Sequence, residues 1–258
     1  MTVIRIEPTA SETSYGSRSG FGRLLQVVAI VSVLMFAHGA NAQTCTEPDD
    51  PTLRMKQFLA SVIGKSDKVR EERAKQVLDA VDNQLEKCPR SLSLHLLKVA
   101  SLGTVARATG FSDSVTHRYG SKSKAALEDL VEVAPDHPWT MTLEGVWHYE
   151  VKRRGGSMGA SMLGASVKEG RERLNEAVEL AGRDDPAITY AYAIALLSYK
   201  AKRNADSAER LLRTSMQVAN EHPDDPASAI IMEPIGDLLE LLADKEYKDA
   251  SRLASELL

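Results

Sequence analysis

Glu144 and His148 are the pair of side chains whose types and spacing come nearest to a metal site. They stand four residues apart, which on a helix places both on one face, where two ligands could meet one ion. No third ligand stands nearby in the sequence, and such a pair is more typical of a surface hydrogen bond. The other histidines are scattered, without the spacing of a Cys/His site. We therefore predict no metal site.

Two arginines followed by two glycines suggest a second kind of chemistry. Arg153 and Arg154 precede Gly155 and Gly156, and guanidinium groups beside accessible backbone amides suit a carboxylate or a phosphate. The alternative is that the arginines interact with the C-terminus of a helix, which the glycines then cap. The sequence leaves both interpretations open.

Motifs of catalysis do not stand out. No serine is interpreted as the nucleophile of a Gly-x-Ser-x-Gly elbow, and neither cysteine has the local signature of an activated thiol. The glycine-rich stretch GGSMGASMLG follows a predicted helix and lacks the Lys-Ser/Thr ending of a phosphate-binding loop. The sequence therefore predicts a protein that is not an enzyme and carries no cofactor.

The composition indicates which elements would carry these residues. The chain has 258 residues, of which 43% are hydrophobic, 26% charged and only 5% aromatic. Abundant Ala, Leu, Glu, Lys and Arg with few aromatic residues is typical of helices that pack on helices rather than of β-sandwiches. The net charge is −4 and no block of basic residues occurs, which argues against a nucleic-acid partner. We expect an all-α protein with one elongated domain.

A repeating pattern organises the predicted helices. Four segments each combine an amphipathic helix, an Ala- or Cys-containing turn and a proline: KQVLDAVDNQLEKCP, KAALEDLVEVAPDHP, RERLNEAVELAGRDDP and ERLLRTSMQVANEHPDDP. The segments follow each other at intervals of 46, 47 and 38 residues when they are aligned on Val81, Leu127, Leu174 and Leu212. Apolar residues recur at i, i+4 and i+7 on one helix face, and the proline ends each helix. The pattern predicts about four irregular helical hairpins in tandem.

The spacing within these hairpins resembles the tetratricopeptide repeat. Two sets of residues match the second-helix positions of that family: Leu174, Val178, Ala181 and Pro186, and then Ala126, Leu130, Val133 and Pro138. Tyr192 and Tyr199 fall at aromatic positions of the following first helix, although Leu196 replaces the usual small residue. The intervals also exceed the family's period of about 34 residues. The resemblance covers most of residues 52–258 and implies a divergent α-solenoid.

Two segments account for the extra length of the predicted repeats. One runs from Ala108 to Ser123, and the other, rich in glycine, serine and methionine, runs from Arg153 to Val167. The second is interpreted either as a lid or peptide-accepting surface, or as a short helix of small residues packed between two hairpins. The stretch from Trp147 to Ser166 also resembles a segment of exported bacterial tetratricopeptide-like proteins. That resemblance implies export and repeats but no activity.

The N-terminus is typical of an export signal. Arg18 and Arg23 precede an apolar run from Val27 to Ala37, and Ala40 and Ala42 give the small-x-small pattern that precedes cleavage. The run is shorter than the roughly 20 residues of a membrane span. We predict a cleavable signal peptide at 1–42 and a helical repeat domain at 43–258, exported to the periplasm of a bacterium. In the alternative, the uncleaved segment anchors the domain in the inner membrane, facing the periplasm.

Export would place both cysteines in an oxidising compartment. Cys45 follows the predicted cleavage site and Cys88 stands near the end of a predicted helix, so the two are candidates for one disulfide. By the chain-entropy model such a bridge could add about 3–4 kcal/mol of stability. The alternative is two unrelated thiols.

Three functions remain open at this stage. The leading hypothesis is a periplasmic module that presents a groove to a protein or peptide partner. The second is a small-molecule-binding accessory component of a transport system, and the third is an enzyme with an unrecognised site. The resemblance places Trp147, Tyr149, Tyr190, Tyr192 and Tyr199 on helices that line a concave groove, although packing between hairpins explains these aromatic residues equally well. The candidate binding residues are Trp147, Tyr149, Arg153, Arg154, Gly155, Gly156, Tyr192 and Tyr199.

Overall fold

The computed structural model describes residues 45, 50–109, 114 and 116–258. These residues belong to one compact unit, Thr44–Leu258. Within the described residues there are nine helices and no strand, which confirms the predicted all-α class. The helices are α1 (Pro51–Val62), α2 (Asp67–Leu85), α3 (Leu92–Ala108), α4 (Tyr119–Val133), α5 (Pro138–Leu163), α6 (Val167–Ala181), α7 (Pro186–Glu221), α8 (Ser228–Ala243) and α9 (Tyr247–Leu257).

A capping side chain followed by proline marks the start of three helices. Asp50, His137 and Asp185 each accept a hydrogen bond from a backbone N–H in the first turn of α1, α5 and α7. Proline suits the next position because an N–H there has no partner within the helix. Pro138 and Pro186, which separate two predicted helices, therefore begin the second of them.

Helices that follow each other in the chain pack against each other. α3 contacts α4, α5 contacts α6 and α8 contacts α9, while α1, α3, α5 and α7 contact one another in that order. α7 bends at Lys200, whose φ of −156° and ψ of 74° are not helical. Asn204 Nδ2 donates to Leu196 O across the bend at 2.9 Å. Ser215 Oγ then donates to Pro186 O at 2.8 Å, so the second half of α7 folds back along the first.

Two glycines let α5 and α6 approach closely. A Cβ atom on Gly145 would lie 2.4 Å from Leu174 Cγ and 2.8 Å from Gly170 O. A Cβ atom on Gly170 would lie 2.9 Å from Gly145 O. Contacts this short would force the two helices apart, because a packed interior cannot absorb an extra methyl group without strain. The glycines therefore fix the distance between α5 and α6.

Buried apolar side chains form two clusters that meet at α5 and α7. One cluster joins α7, α8 and α9 and includes Tyr149, Leu196 and Leu212. The other joins α1, α3, α4 and α5 and includes Leu130 and Trp139. Fully burying one large aliphatic side chain stabilises a fold by roughly 1.5–3 kcal/mol. The inner helices α5 and α7 thus hold the two ends of the protein together.

Polar contacts also join the first described helices to the last part of the chain. Lys56 of α1, only 7% exposed, forms ion pairs with Asp185 at 3.4 Å and with Asp225. Arg70 Nη1 of α2 donates to the Glu256 carbonyl of α9 at 2.5 Å. The arrangement is therefore closed, with α1 and α2 against segments more than a hundred residues later.

α5 continues through most of the segment predicted as an insertion, Arg153 to Val167. The helix runs to Leu163 and is interrupted only at Gly156, where φ is 62° and ψ is −153°. Residues 157–163 form a short helix, but among them only Ala160 is buried, so the packing between two hairpins that was part of that interpretation is not seen. Met158 and Met162 on this short helix are 77% and 78% exposed, so its methionines point away from the core.

A disulfide joins Cys45 to Cys88, as predicted, with Cα atoms 5.5 Å apart. Of the other predicted insertion, Ala108 to Ser123, residues 110–113 and 115 lie outside the described residues, and α4 begins at Tyr119. The predicted signal peptide, 1–42, also lies outside them. Among the helices that are described, none is long and apolar enough to cross a membrane.

Candidate functional site

The inward faces of α1, α3, α5 and α7 surround a cavity. The residues that line it recur at i, i+3, i+4 and i+7 of α1 and of α7, which is the spacing of one helix face. The volume of this cavity is about 100 Å³, and one side of it is open to solvent. Cavities that hold drug-sized ligands measure roughly 300–1,000 Å³. The cavity therefore has room for part of a small organic molecule, and a larger ligand would extend through the open side.

The lining is mainly apolar. α1 contributes four side chains to it, and α5 contributes both tryptophans of the chain. Leu257 and Leu258 at the end of the chain complete the wall. The side chains that α1 and α5 contribute include Met55, Phe58, Leu59, Val62, Trp139 and Trp147.

Five polar side chains of the lining each have a buried atom without a hydrogen-bond partner among the described residues. These atoms are Arg70 Nε, Arg107 Nε, Ser123 Oγ, Trp147 Nε1 and Tyr190 OH. All five groups can donate a hydrogen bond, and the arginine and tryptophan nitrogens can only donate. A buried donor without an acceptor costs about 1–3 kcal/mol. The cavity wall is therefore rich in donors that lack acceptors.

Arg107 places a guanidinium group in the cavity wall without an acidic partner. Its Nη2 donates to Thr104 Oγ1 at 3.2 Å. No ion pair found among the described residues involves Arg107. A Cβ atom on Gly103 would lie 3.1 Å from Arg107 Nη1, so the guanidinium lies back along α3, over the glycine.

The charges around Arg107 are mostly of its own sign. Burial is the main cause that lowers the pKa of Arg107 to about 10; Glu150 opposes this shift, and Arg70, Arg154 and Arg153 add to it. Glu150 is already held by Arg153, through hydrogen bonds of 2.7 and 3.0 Å. Arg107 is still protonated at neutral pH, and its positive charge is poorly compensated.

A buried ionic network holds α1 in place as one wall of the cavity. Asp185 Oδ2, which pairs with Lys56, also accepts a hydrogen bond from Trp139 Nε1 at 3.0 Å. Burial raises the pKa of Asp185, while Lys56 opposes the shift. Asp225 pairs with the same lysine and accepts from the backbone N–H two residues further on. The network thus connects α1 to the starts of α7 and α8.

The predicted aromatic residues divide between the cavity and the core. Trp147 lines the cavity, as does Tyr190, which also belongs to the core cluster of α7–α9. Tyr149 and Tyr192 are buried in the core cluster of α7–α9, at 0% and 5% exposure. Tyr199 packs against that cluster, with its ring 5.8 Å from that of Tyr149 and nearly perpendicular to it. These five residues therefore do not form one surface.

The predicted Arg-Arg-Gly-Gly group lies outside the cavity lining. Arg153 pairs with Glu150, as described above. Arg154 Nη1 donates to the Ala106 carbonyl at 2.6 Å, in the last turn of α3, where carbonyls lack partners within the helix. Gly155 and Gly156 lie at the interruption of α5. Arg154 thus interacts with a helix C-terminus, although with that of α3 rather than its own helix.

Glu144 and His148 both connect α5 to α6. Glu144 accepts a hydrogen bond from Arg173 Nε at 2.6 Å. His148 Nδ1 accepts one from the Ser166 backbone N–H at 3.0 Å, and Nε2 lies 3.7 Å from Glu169. Burial lowers the pKa of His148, against the opposing effect of Glu169. Among the described residues, no three His, Cys, Asp or Glu side chains come together as metal ligands would.

Ser157 has the spacing of a Gly-x-Ser-x-Gly motif, although no serine was predicted from the sequence to lie in such an elbow. Gly155 and Gly159 flank it in the sequence. Its hydroxyl accepts a hydrogen bond from Lys152 Nζ at 3.1 Å, and none of the described hydrogen bonds joins it to a histidine. A nucleophile elbow lies between a strand and a helix, whereas Ser157 lies within helical backbone. The motif therefore lacks the context of a hydrolase.

Three residues of the site were not identified from the sequence. Lys56 and Arg107 are single charged residues among the mainly uncharged residues on the inward faces of α1 and α3. A charge at such a position is the sequence signal that could have revealed them. Trp139 follows a proline at a helix start, where its role in the cavity wall has no sequence signature.

Comparison with protein-family models, with curated proteins and with solved structures found no match to this chain.

Proposed function

We propose that this protein binds a small molecule with a mainly apolar body in the cavity between α1, α3, α5 and α7. The observation that carries the proposal is that one face of each helix surrounds a space instead of filling it. Protein interiors are normally packed as densely as organic crystals, and a mainly apolar pocket with a few polar groups in its wall is a default binding site. This is the second of the three functions considered from the sequence, a binding component of a transport system.

The closed arrangement favours this function over a peptide groove. A groove for an extended or helical segment needs a long open surface. Here α1 is held against the rest by Lys56, and Leu257 and Leu258 lie at the cavity wall. A compact ligand fits this space better than a peptide does.

Further parts of the proposal concern the architecture and the location. The pairs α3–α4, α5–α6, the two halves of α7, and α8–α9 follow one another along the chain. We interpret them as divergent tetratricopeptide-like hairpins. The predicted signal peptide would export the protein to the periplasm, where a carrier for a transport system would meet its ligand.

The two tryptophans provide a direct test, because both line the cavity. A ligand that enters should change the intrinsic fluorescence of the purified protein. Ala191→Phe places a larger side chain in the lining and should weaken binding of apolar probes at least tenfold. Ala80→Phe, on an exposed part of α2, is the matched control. Equal binding by both variants, or no binding by the unaltered protein, would refute the proposal.

A protein partner remains a second candidate because of one exposed apolar pair. Met158 and Met162 lie one turn apart on the short helix and are more than three-quarters exposed. Methionine side chains adapt to many partner surfaces. Replacing both with glutamate should release any partner that purifies with the unaltered protein. A partner retained by that variant would place the interaction elsewhere.

A further inference from the structure

The charge of the cavity wall points to a class of ligand. Arg70 already has Asp67 as an ion-pair partner and the Glu256 carbonyl as an acceptor. Arg107 has only a neutral hydroxyl, that of Thr104. The wall therefore contains one guanidinium group without an ion-pair partner, whose charge Glu150 compensates only in part, and a single negative charge on a ligand would complete the compensation.

The hydrogen-bonding chemistry of Arg107 points in the same direction. The Nε atoms of Arg70 and Arg107 and the indole Nε1 of Trp147 have no acceptor among the described residues, but each exposes less than 1 Å² of surface, so these atoms themselves are not open to a ligand. Arg107 as a residue is partly exposed, and because a guanidinium group can only donate, a ligand that approaches it needs acceptor oxygens. A carboxylate supplies two oxygens in one plane, which matches the planar fork of a guanidinium.

The apolar part of the lining indicates the chemistry of the rest of the ligand. Met55, Phe58, Leu59 and Val62 present a continuous apolar face of α1, and the tryptophans of α5 line the same cavity. Such surfaces favour a hydrocarbon or aromatic body, because removing apolar groups from water stabilises the complex. Polar groups in addition to the head group would have few partners there.

We propose that the cavity binds an amphipathic monocarboxylic acid, with its carboxylate on Arg107 and its apolar body against α1 and α5. This inference rests on the proposed function, that the cavity binds a small molecule. It adds the charge, the head group and the orientation of the ligand. A phosphate ester is less well matched, because a dianion would meet only one guanidinium group that lacks an ion-pair partner.

The experiment compares four probes that share one hydrocarbon chain: laurate, lauryl alcohol, dodecyltrimethylammonium and dodecyl phosphate. Each is titrated below its micelle concentration into the full chain, with tryptophan fluorescence as the readout. The variants are Arg107→Gln and the control Arg183→Gln, which is exposed. Arg107→Lys is a second variant that keeps the charge but loses the planar fork.

We expect laurate to bind the unaltered protein at least tenfold more tightly than the alcohol or the ammonium probe. Arg107→Gln should remove this preference by weakening laurate binding while leaving alcohol binding unchanged, and Arg107→Lys should lose part of it. The control should behave as the unaltered protein does. Arg107→Gln should also melt at the same temperature or higher, because it removes a buried and poorly compensated charge from the wall.

The other outcomes overturn the inference in distinguishable ways. Equal affinity for laurate and the alcohol would overturn the carboxylate assignment and leave the cavity as a neutral binding site. Tighter binding of dodecyl phosphate than of laurate would overturn the charge argument. A lower melting temperature of Arg107→Gln with unchanged laurate binding would assign this arginine to folding alone. Absence of binding by all four probes would overturn the proposed function itself. If Arg107→Gln does not fold, two results still test the inference: the preference of the unaltered protein for laurate over the alcohol, and the partial loss of that preference in Arg107→Lys.

Discussion

Replacing Lys56 with methionine tests the network that holds α1 over the cavity. The side chains of Lys56, Asp185 and Asp225 are 8%, 6% and 12% exposed. Removing one partner of a buried pair costs about 3–5 kcal/mol, because the other charge stays buried without compensation. Asp185 would keep its hydrogen bond from Trp139, so we expect the lower end, about 3 kcal/mol.

The loss should be visible in thermal unfolding followed by circular dichroism. In a domain of this size each kcal/mol shifts the melting temperature by about 2–4 °C, so Lys56→Met should melt about 6–12 °C lower. Lys68→Met, at an exposed position of α2, is the control and should change little. A loss of less than about 1 kcal/mol, the value of a surface ion pair, would refute the burial of this network.

Two further measurements separate lost charge from lost packing. Burial raises the pKa of Asp185 and Lys56 opposes the shift, so the methionine variant should raise that pKa further. A carboxyl group whose pKa is higher in the folded than in the unfolded protein stabilises the fold at low pH, where it is protonated. This stabilisation is lost as the pH rises through the pKa. The variant should therefore regain stability relative to the unaltered protein as the pH falls. Adding Asp185→Asn and Asp225→Asn should also recover part of the loss at neutral pH.

Three further predictions concern the α5–α6 pair and the disulfide. Gly145→Ala should destabilise the protein by about 1–3 kcal/mol in urea unfolding, through overpacking. The control is Gly159→Ala, where a Cβ would meet nothing within 4 Å, and it should stabilise the protein by about 0.5–1 kcal/mol. Equal effects of the two substitutions on stability would argue against the close approach of α5 and α6 at Gly145. Burial lowers the pKa of His148, so stability should fall as the pH drops below about 6.5, the ordinary histidine pKa. His148→Asn keeps a hydrogen-bond acceptor at this position but does not titrate, so the stability of this variant should depend less on pH. An unchanged pH dependence would assign the effect to other groups. Replacing Cys88 with serine should cost about 4 kcal/mol for the loop of 43 residues, and a loss below about 1 kcal/mol would contradict the chain-entropy estimate.

The helices were predictable from the sequence because their apolar residues follow the period of a helix. Leu127, Leu174 and Leu212, aligned from the sequence alone, are all at most 5% exposed. The glycine-rich segment was harder to interpret, since each glycine costs a helix only about 1 kcal/mol and neighbouring contacts can outweigh that cost. The bend of α7 at Lys200 has no glycine or proline to reveal it. It depends on contacts such as that of Asn204 with Leu196.

The candidate site was less predictable, because it depends on which face of each helix turns inward. Residues two apart on a helix lie about 200° apart around its axis. Trp147 and Tyr149 therefore face opposite sides, and so do Tyr190 and Tyr192. In each pair one residue lines the cavity and the other does not, although Tyr190 belongs to the core cluster as well. The periodicity could have separated these pairs, but it could not tell which member faced the cavity.

The contact between Arg70 and the Glu256 carbonyl restricts how this protein can vary in length. Open repeat arrays gain or lose units readily, because each unit touches only its neighbours. Here one additional helix pair would move α9 from α2 by about 8–10 Å, the usual distance between packed helices. A deletion would leave a gap of similar size. The contact between α2 and α9 therefore limits how many helices can be inserted between them or removed.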